Sequence, residues 1–522
     1  MTTEHLLFLL AAVAFARPAH ADQAPPAPLQ AESFPGADLG ARVNAAVASL
    51  KLKVATIRVT EQGEIRTPIS LDVGQTLEFG PGAWTCAAAP CITVDSGSRV
   101  LGAGVFLTRL VLGPKSAGPM IQSRDFNALV GKPEAELLKI PHALKGDHKY
   151  LPGVKYVRIQ LLTLDGNLPA HPLPANGIEL YGFWYWLEHL SIERFAGNGL
   201  VTEFVASGWV DPLGNDTNES YFTDVKFVAN KKVGWVNRGP HDSIATGVIA
   251  ANNGEWGIDV IHKEGYHSGA GLMLSNTHLY GNGGGLRTSR GANIITSNFE
   301  SEANHGSGLL LRSNDNIIQG FFYANAKHGI ELGEGDAFSA ANTLNVQLHN
   351  NTISQVLWAN SGGHTVLTGA VYAMPGQGYF TGNPDGLDLV LTAGNATPQG
   401  PLQHFPGGAL RVAGDGAAQL GQTAPGQPGG GPLVIPGNGK VVIDAKKGSL
   451  FWVELQGTVK ESQITNAKVG QMITIIVGQG KAGNMAFAWP KDFQSPPQVD
   501  QAPSRATVTV RVFDGSNWAV VK

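Results

Sequence analysis

One pattern constrains this chain more than any other: an Asn followed a few residues later by Gly and an apolar residue, recurring through the middle of the sequence. It occurs as Asn230…Gly234-Trp-Val, Asn253…Gly257-Ile-Asp, Asn282…Gly285-Leu-Arg, Asn304…Gly308-Leu-Leu and Asn325…Gly329-Ile-Glu. The spacing of about 21 to 29 residues is the length of one coil of a β-solenoid. A second polar register runs beside it, in Asp242-Ser-Ile, Asn293-Ile-Ile, Asn316-Ile-Ile and Asn342-Thr-Leu. Stacked coils explain both. Each tight turn needs a residue that tolerates positive φ, and an Asn amide there can bond to its counterpart in the next coil, about 4.8 Å away. The expected fold is all-β: a right-handed parallel β-helix followed by a small antiparallel β-domain.

Composition agrees. The 522 residues carry 67 Gly and only 15% charged side chains, with a net charge of −4 and 43% hydrophobic residues. Disorder would need fewer apolar residues, and a nucleic-acid partner a basic excess. Residues 1–21 read as a signal peptide, with an apolar run from Leu6 to Phe15 before Ala19-His20-Ala21, which predicts a secreted or periplasmic protein. No segment has the length and apolarity of a membrane span. Residues 22–37 form a Pro/Ala-rich tether, 38–410 the β-helix with a helical insertion near 131–145, 411–432 a Gly/Pro linker and 433–522 the C-terminal domain. Asp38 is placed to cap a helix whose Leu39, Val43, Val47 and Leu50 share one face. Cys86 and Cys91 either close a local disulfide or are two separate thiols.

Taking the ladder Asn as origin identifies which side chains stack in neighbouring coils. In the strand after it, Trp235, Ile258, Leu286, Leu309 and Ile330 point inward, and Val236, Asp259, Arg287, Leu310 and Glu331 form the outward column. Asp259 and Arg287 are therefore neighbours, either as a surface ion pair or as a device that binds a uronate carboxylate. Four residues before the Asn the column reads Lys226, Ile249, His278, Glu300 and Phe321. Two residues before it reads Val228, Ala251, Tyr280, Glu302 and Tyr323. His278 then lies against Glu300, and Glu302 lies between two tyrosines. Such a group offers acid/base chemistry beside rings on which sugars stack, or it simply covers the outside of the helix. Glu300, Glu302, His278 and Arg287 are the catalytic candidates, and Tyr280, Tyr323 and Asp259 the substrate-binding ones. Lys263, Glu264 and His267 lie in a longer loop beside them. Asn215-Asp-Thr217, Asn218-Glu-Ser220 and Asn395-Ala-Thr397 match the glycosylation pattern.

Residues 33 to 400 resemble the pectate lyase-like superfamily, in particular its rhamnogalacturonase- or epimerase-like group. The likeness rests on Phe34-Pro-Gly-Ala-Asp-Leu-Gly40, Leu101-Gly-Ala-Gly104 and the coils with Asn298-Phe-Glu-Ser-Glu-Ala303. It implies an exported lyase, hydrolase or epimerase acting on an acidic polysaccharide. The alternatives are a non-catalytic carbohydrate-binding or adhesin-like protein and a purely structural solenoid. The paired Asp motifs and Gly-His-Gly of polygalacturonase-type hydrolases are missing. Gly239-Pro-His-Asp242 is similar to the Asp-Pro-His-Asp signature of alginate epimerases with Gly in place of the first Asp, although Asp242 shares its repeat phase with turn residues. No cofactor and no metal ligand set is evident from the residues; the resemblance implies calcium. Gly470-Gln-Met-Ile-Thr-Ile, Phe487-Ala-Trp-Pro490 and Phe513-Asp-Gly-Ser-Asn-Trp518 are similar to small domains of phage-tail and bacterial surface β-helix proteins, which implies a homotrimer.

Overall fold

The computed structural model describes residues 27–520 except 52, 138, 140–151, 169, 171–172, 205–218, 263–270, 336–338, 360–364, 373–377, 383–386, 394–409, 414–432, 448–449, 470, 480–482, 500–505 and 514–515. The expected signal peptide, the Lys263–His267 loop, most of the linker, and Asn215, Asn218 and Asn395 lie outside the described residues. A strand over Leu29–Gln30 pairs parallel with Thr56–Val59 at the start of the solenoid, and a helix over Leu39–Leu50 follows, with the Asp38 carboxylate accepting from the Gly40 and Ala41 amides. Its buried Leu39, Val43 and Val47 close the end of the hydrophobic core, as an apolar core exposed at a solenoid end would require.

Beyond it the chain winds into parallel coils. Nineteen strands form one long sheet and thirteen a second, narrower one. The inward residues Trp235, Ile258, Leu286, Leu309 and Ile330 are all fully buried, as their phase predicts. Cys86 and Cys91 form a disulfide.

The asparagines stack as the repeat implies, with one correction to their role. Asn230, Asn253, Asn282, Asn304 and Asn325 each donate from Nδ2 to the Oδ1 of the next, at 2.8 to 3.1 Å, and Asn325 continues to Asn351 at 2.9 Å. Each amide also donates to a carbonyl across the coil, as Asn282 does to Ala250 at 2.9 Å. The left-handed residue is the one before the ladder Asn: Ala229, Asn252, Gly281, Ala303, Ala324 and Asn350 have φ between 48° and 64°. That residue turns the chain, and the Asn is buried behind it to satisfy the turn's donors and acceptors.

The second register also differs. Ile294 N donates to Asn316 Oδ1, and Asn316 Nδ2 to Asn342 Oδ1 at 2.7 Å, so these two form a short ladder of their own. Ser243 pairs with Leu272 and Leu272 with Ile294, which puts Asp242 and Asn293 one position earlier. Asp242 is left-handed, with φ 54°; it is a turn residue.

A further corner is set by Leu161, His189, Asp224, Gly247, Asn276 and Asn298, all left-handed and in register in successive coils. It bends each long strand, such as Gly271–Tyr280, into two segments facing different directions. The narrow sheet's outward column is covered rather than exposed: Val236, Asp259 and Leu310 are 5%, 3% and 3% accessible. Short helices over Phe126–Leu129 and Glu134–Leu137 cap that face with Phe126, Leu129 and Leu137 against Phe183, Val201 and Val236. Of the helical insertion expected near 131–145, the described residues hold one brief helix, Glu134–Leu137; Phe126–Leu129 precedes it, and together they cover apolar side chains.

The C-terminal sheet holds the strands Leu433–Asp444, Leu450–Thr465, Met472–Gly478, Ala506–Phe513 and Trp518–Val520. It is mixed rather than wholly antiparallel. The first three strands pair parallel and the last two pairings are antiparallel. Leu433 pairs with Phe451 and Phe451 with Ile475, so the chain again makes full coils; an alternating sequence reports the period of a strand but not its direction. Ile443, Phe451, Val453, Ile475, Val477 and Trp518 fill its core.

Candidate functional site

The long sheet brings the acid/base candidates together. His278 pairs in register with Glu300 and Tyr280 with Glu302, and the next coil adds Phe321 beside Glu300 and Tyr323 beside Glu302. His278 Nε2 lies 3.0 Å from Glu302 Oε1 and 4.0 Å from Glu300 Oε2. The imidazole packs on Tyr280, with centroids 4.6 Å apart, and Tyr323 stacks on Phe321 at 4.7 Å. Side-chain exposure is 34% for His278, 40% for Glu300 and 19% for Glu302. Glu302 is thus the enclosed partner that orients the ring, and His278 and Glu300 face outward.

Arg287 and Asp259 are neighbours as expected, but they stand on the other sheet and are occupied with one another. Arg287 donates from Nε to Asp259 Oδ1 at 2.9 Å and from a terminal nitrogen to Oδ2. Its guanidinium lies 5.3 Å from the Trp256 ring. Burial works against its charge, but the Asp259 hydrogen bond and charge outweigh it and raise the Arg287 pKa. The two groups of candidates therefore form two separate constellations.

Calcium fits neither. Among the described residues the one group of three potential ligands is His278, Glu300 and Glu302, with ligand atoms within 4.8 Å of one another. Calcium takes six to eight oxygens, whereas this set offers an imidazole and two carboxylates.

A third feature escaped the sequence reading. Tyr156, Trp184, Trp186, Glu219, Tyr221 and Ile244 line a shallow depression of about 350 Å³ in the solenoid wall. Tyr156 stacks on Trp184 at 4.8 Å and on Trp186 at 6.3 Å, and Trp186 on Tyr221 at 5.8 Å. The interplanar angles are 27°, 13° and 17°. The signal was Phe183-Trp-Tyr-Trp186, whose alternation puts both Trp side chains on one side of the chain. The insertion between Glu203 and Ser220 stretches that coil and hides its phase.

No known protein family matches the chain by sequence, and no curated protein matches it. Solved structures do. The A-module of the mannuronan C-5 epimerase AlgE6 of Azotobacter vinelandii covers 76% of this chain and 100% of its own, with TM-score 0.51 and 14% identity. The AlgE4 A-module of the same organism covers 84% and 100%, with TM-score 0.43 and 13% identity. The tailspike of E. coli bacteriophage HK620, solved with a pentasaccharide, covers 86% and 81%, with TM-score 0.39 and 11% identity. At such identities the likeness is one of fold. The chain is a right-handed parallel β-helix protein. Among the described residues no helix is long and apolar enough to cross a membrane.

Proposed function

We propose that this chain is an exported protein that acts on an acidic, uronate-containing polysaccharide, with His278 as the proton-transfer group. The observation that carries the reading is the hydrogen bond of His278 Nε2 to Glu302 Oε1 at 3.0 Å, in a partly exposed position against the Tyr280 ring. A carboxylate that holds one imidazole nitrogen fixes the ring's orientation and tautomer and leaves the other nitrogen for a substrate proton. Removal of the proton α to a uronate carboxylate leads to elimination, in which the C4–O bond breaks as the C4–C5 double bond forms and the leaving oxygen takes a proton, or, with return of a proton from the opposite face, to epimerisation. Glu300 is the second acid/base group, and Tyr280 and Tyr323 offer faces to the sugar ring. Inverting hydrolysis is less well served, because its two carboxyls stand roughly 6.5–9.5 Å apart to admit water, and here the ligand atoms of the cluster lie within 4.8 Å. A binding protein without catalysis is the second reading, favoured by the aromatic depression, which stands apart from any acid/base pair. Homotrimeric assembly remains an inference from the C-terminal resemblance, tested by light scattering.

The experiment is incubation of the purified protein with acidic and neutral polysaccharides, followed by ultraviolet absorbance of unsaturated uronates, reducing ends, and proton NMR of C-5 configuration. New unsaturation or inverted C-5 signals, lost in His278→Gln, support the reading. Reducing ends without unsaturation would replace it by hydrolysis, and retention of a polymer without turnover would replace it by the binding reading.

A further inference from the structure

The aromatic depression does not end at Trp186. Arg158 pairs in register with Arg99 on one side and with Trp186 on the other, and Trp186 pairs with Tyr221. One outward column therefore reads Arg99, Arg158, Trp186, Tyr221 over successive coils. The Arg158 guanidinium lies 4.8 Å from the Trp186 ring centroid. Arg99 is exposed, and among the described residues neither arginine has a carboxylate partner.

Two like charges on adjacent coils, unneutralised, repel one another. The arrangement is relieved by an anion that spans both. The neighbouring rings, inclined by 13° to 27° to one another, offer apolar faces and edges of the kind on which the C–H face of a pyranose settles. The depression is open and shallow, suited to an extended chain of rings rather than an enclosed small molecule.

We infer that the column Arg99–Arg158–Trp186–Tyr221, with Tyr156 and Trp184, is a binding site for an acidic polysaccharide: carboxylates face the two guanidinium groups, and sugar rings stack on the aromatics. The column continues through Ile244 and Met273. Met273 belongs to the strand that carries His278, on the other side of the corner at Asn276. From Trp186 to Met273 is three coil steps, about 14 Å, so a chain lying on the column runs toward the coil that holds the acid/base group. The inference shares its ligand class with the function proposed above but does not require that His278 catalyse anything.

The test is calorimetric titration of the full protein with uronate oligosaccharides of several stereochemistries, with their carboxyl-reduced counterparts, and with a short oligonucleotide as a polyanion control. Trp186→Ala is expected to weaken uronate binding roughly tenfold or more, with Trp186→Phe restoring most of it and thermal melting confirming the fold. Arg99→Gln/Arg158→Gln is expected to weaken uronate binding and flatten its salt dependence while leaving the reduced sugars unchanged. His278→Gln, which leaves this column intact, should bind as the wild type does, so loss of turnover there with binding kept separates the two proposals. Four results would overturn the inference: no uronate binding by the wild type, undiminished binding by Trp186→Ala, tighter binding of the oligonucleotide, or a Trp186→Ala change in oligomeric mass marking the patch as a contact between copies.

Discussion

His278 and Glu302 belong to successive coils, yet Nε2 of the one lies 3.0 Å from Oε1 of the other, so the acid/base pair exists only when the two coils are stacked in register. If the imidazole transfers the proton, His278→Gln lowers kcat/KM by about 10²–10⁴-fold. Glu302→Gln, which keeps a hydrogen bond but not the charge, has a smaller effect on kcat with KM little changed. Steady-state kinetics on whichever polymer is turned over would measure both, and equal, small effects would remove the pair from the mechanism.

Asn282 makes hydrogen bonds in both directions along the ladder. It accepts from Asn253 at 2.8 Å and donates to Asn304 at 3.1 Å and to the Ala250 carbonyl at 2.9 Å. Asn282→Ala leaves these buried partners open, at about 1–3 kcal/mol per unsatisfied group. Denaturant unfolding should show a loss of about 2–4 kcal/mol, and Asn282→Asp, which adds a buried charge and removes the donor, a larger one.

The glycines after the ladder Asn let neighbouring coils approach. A Cβ on Gly285 would stand 2.1 Å from Ser301 Oγ and 2.2 Å from the Gly308 carbonyl oxygen, whereas on Gly257 its nearest neighbour, the Gly285 carbonyl, is 3.0 Å away. Gly285→Ala should therefore lower the melting temperature markedly more than Gly257→Ala. Equal effects would mean that the coils separate freely at this corner.

Burial holds the His328 imidazole at about 4, with the Lys327 charge as the smaller cause, against about 6.5 for a free histidine. Between those values the unfolded chain binds a proton that the folded chain refuses, so stability present above about pH 6.5 is lost as the pH falls toward 4. Melting curves across this window should show that decline, and His328→Asn, which can keep a contact to Ser354 Oγ, now 2.7 Å from Nδ1, should flatten it.

Arg287→Gln should act on stability rather than on the chemistry at His278. Asp259 is 3% accessible, and removing its cation leaves a buried carboxylate, a change that costs about 3–5 kcal/mol when nothing relaxes. Double replacement with Asp259→Asn should recover part of the loss. A large fall in turnover without loss of stability would instead return Arg287 to the substrate.

The solenoid and the pairing of His278 with Glu300 and of Tyr280 with Glu302 were legible because a fixed coil turns sequence spacing into spatial neighbours. Phase, however, says which way a residue points and not what covers it. Val236 has the outward phase, but the covering Phe126, Leu129 and Leu137 come from a segment with no place in the repeat, and Asp259, of the same phase, is enclosed with Arg287. The left-handed corner at Asp224, Gly247, Asn276 and Asn298 mixes residue types and, with Leu161 and His189, includes two that do not announce such a turn. The Arg99–Tyr221 column was hidden for a third reason: the coils of Arg99, Arg158 and Trp186 precede the ladder that begins at Asn230 and differ in length, so no ladder Asn marks their origin.

The ladder also has a polarity. Each Asn supplies the oxygen that receives the amide of the coil before it, and hands its own amide to the coil after it. Asn351, at the far end, gives its amide to Gln355 Oε1 at 2.7 Å, a side chain of the same coil standing where a seventh Asn would be. The stack thus works as a one-way zipper with its own stop: shortened from the N-terminal side it leaves a buried oxygen without its donor, and cut between Asn230 and Asn351 it leaves the last buried amide without its onward acceptor, so permutations and truncations that keep Gln355 with its coil are the ones a folded solenoid should tolerate.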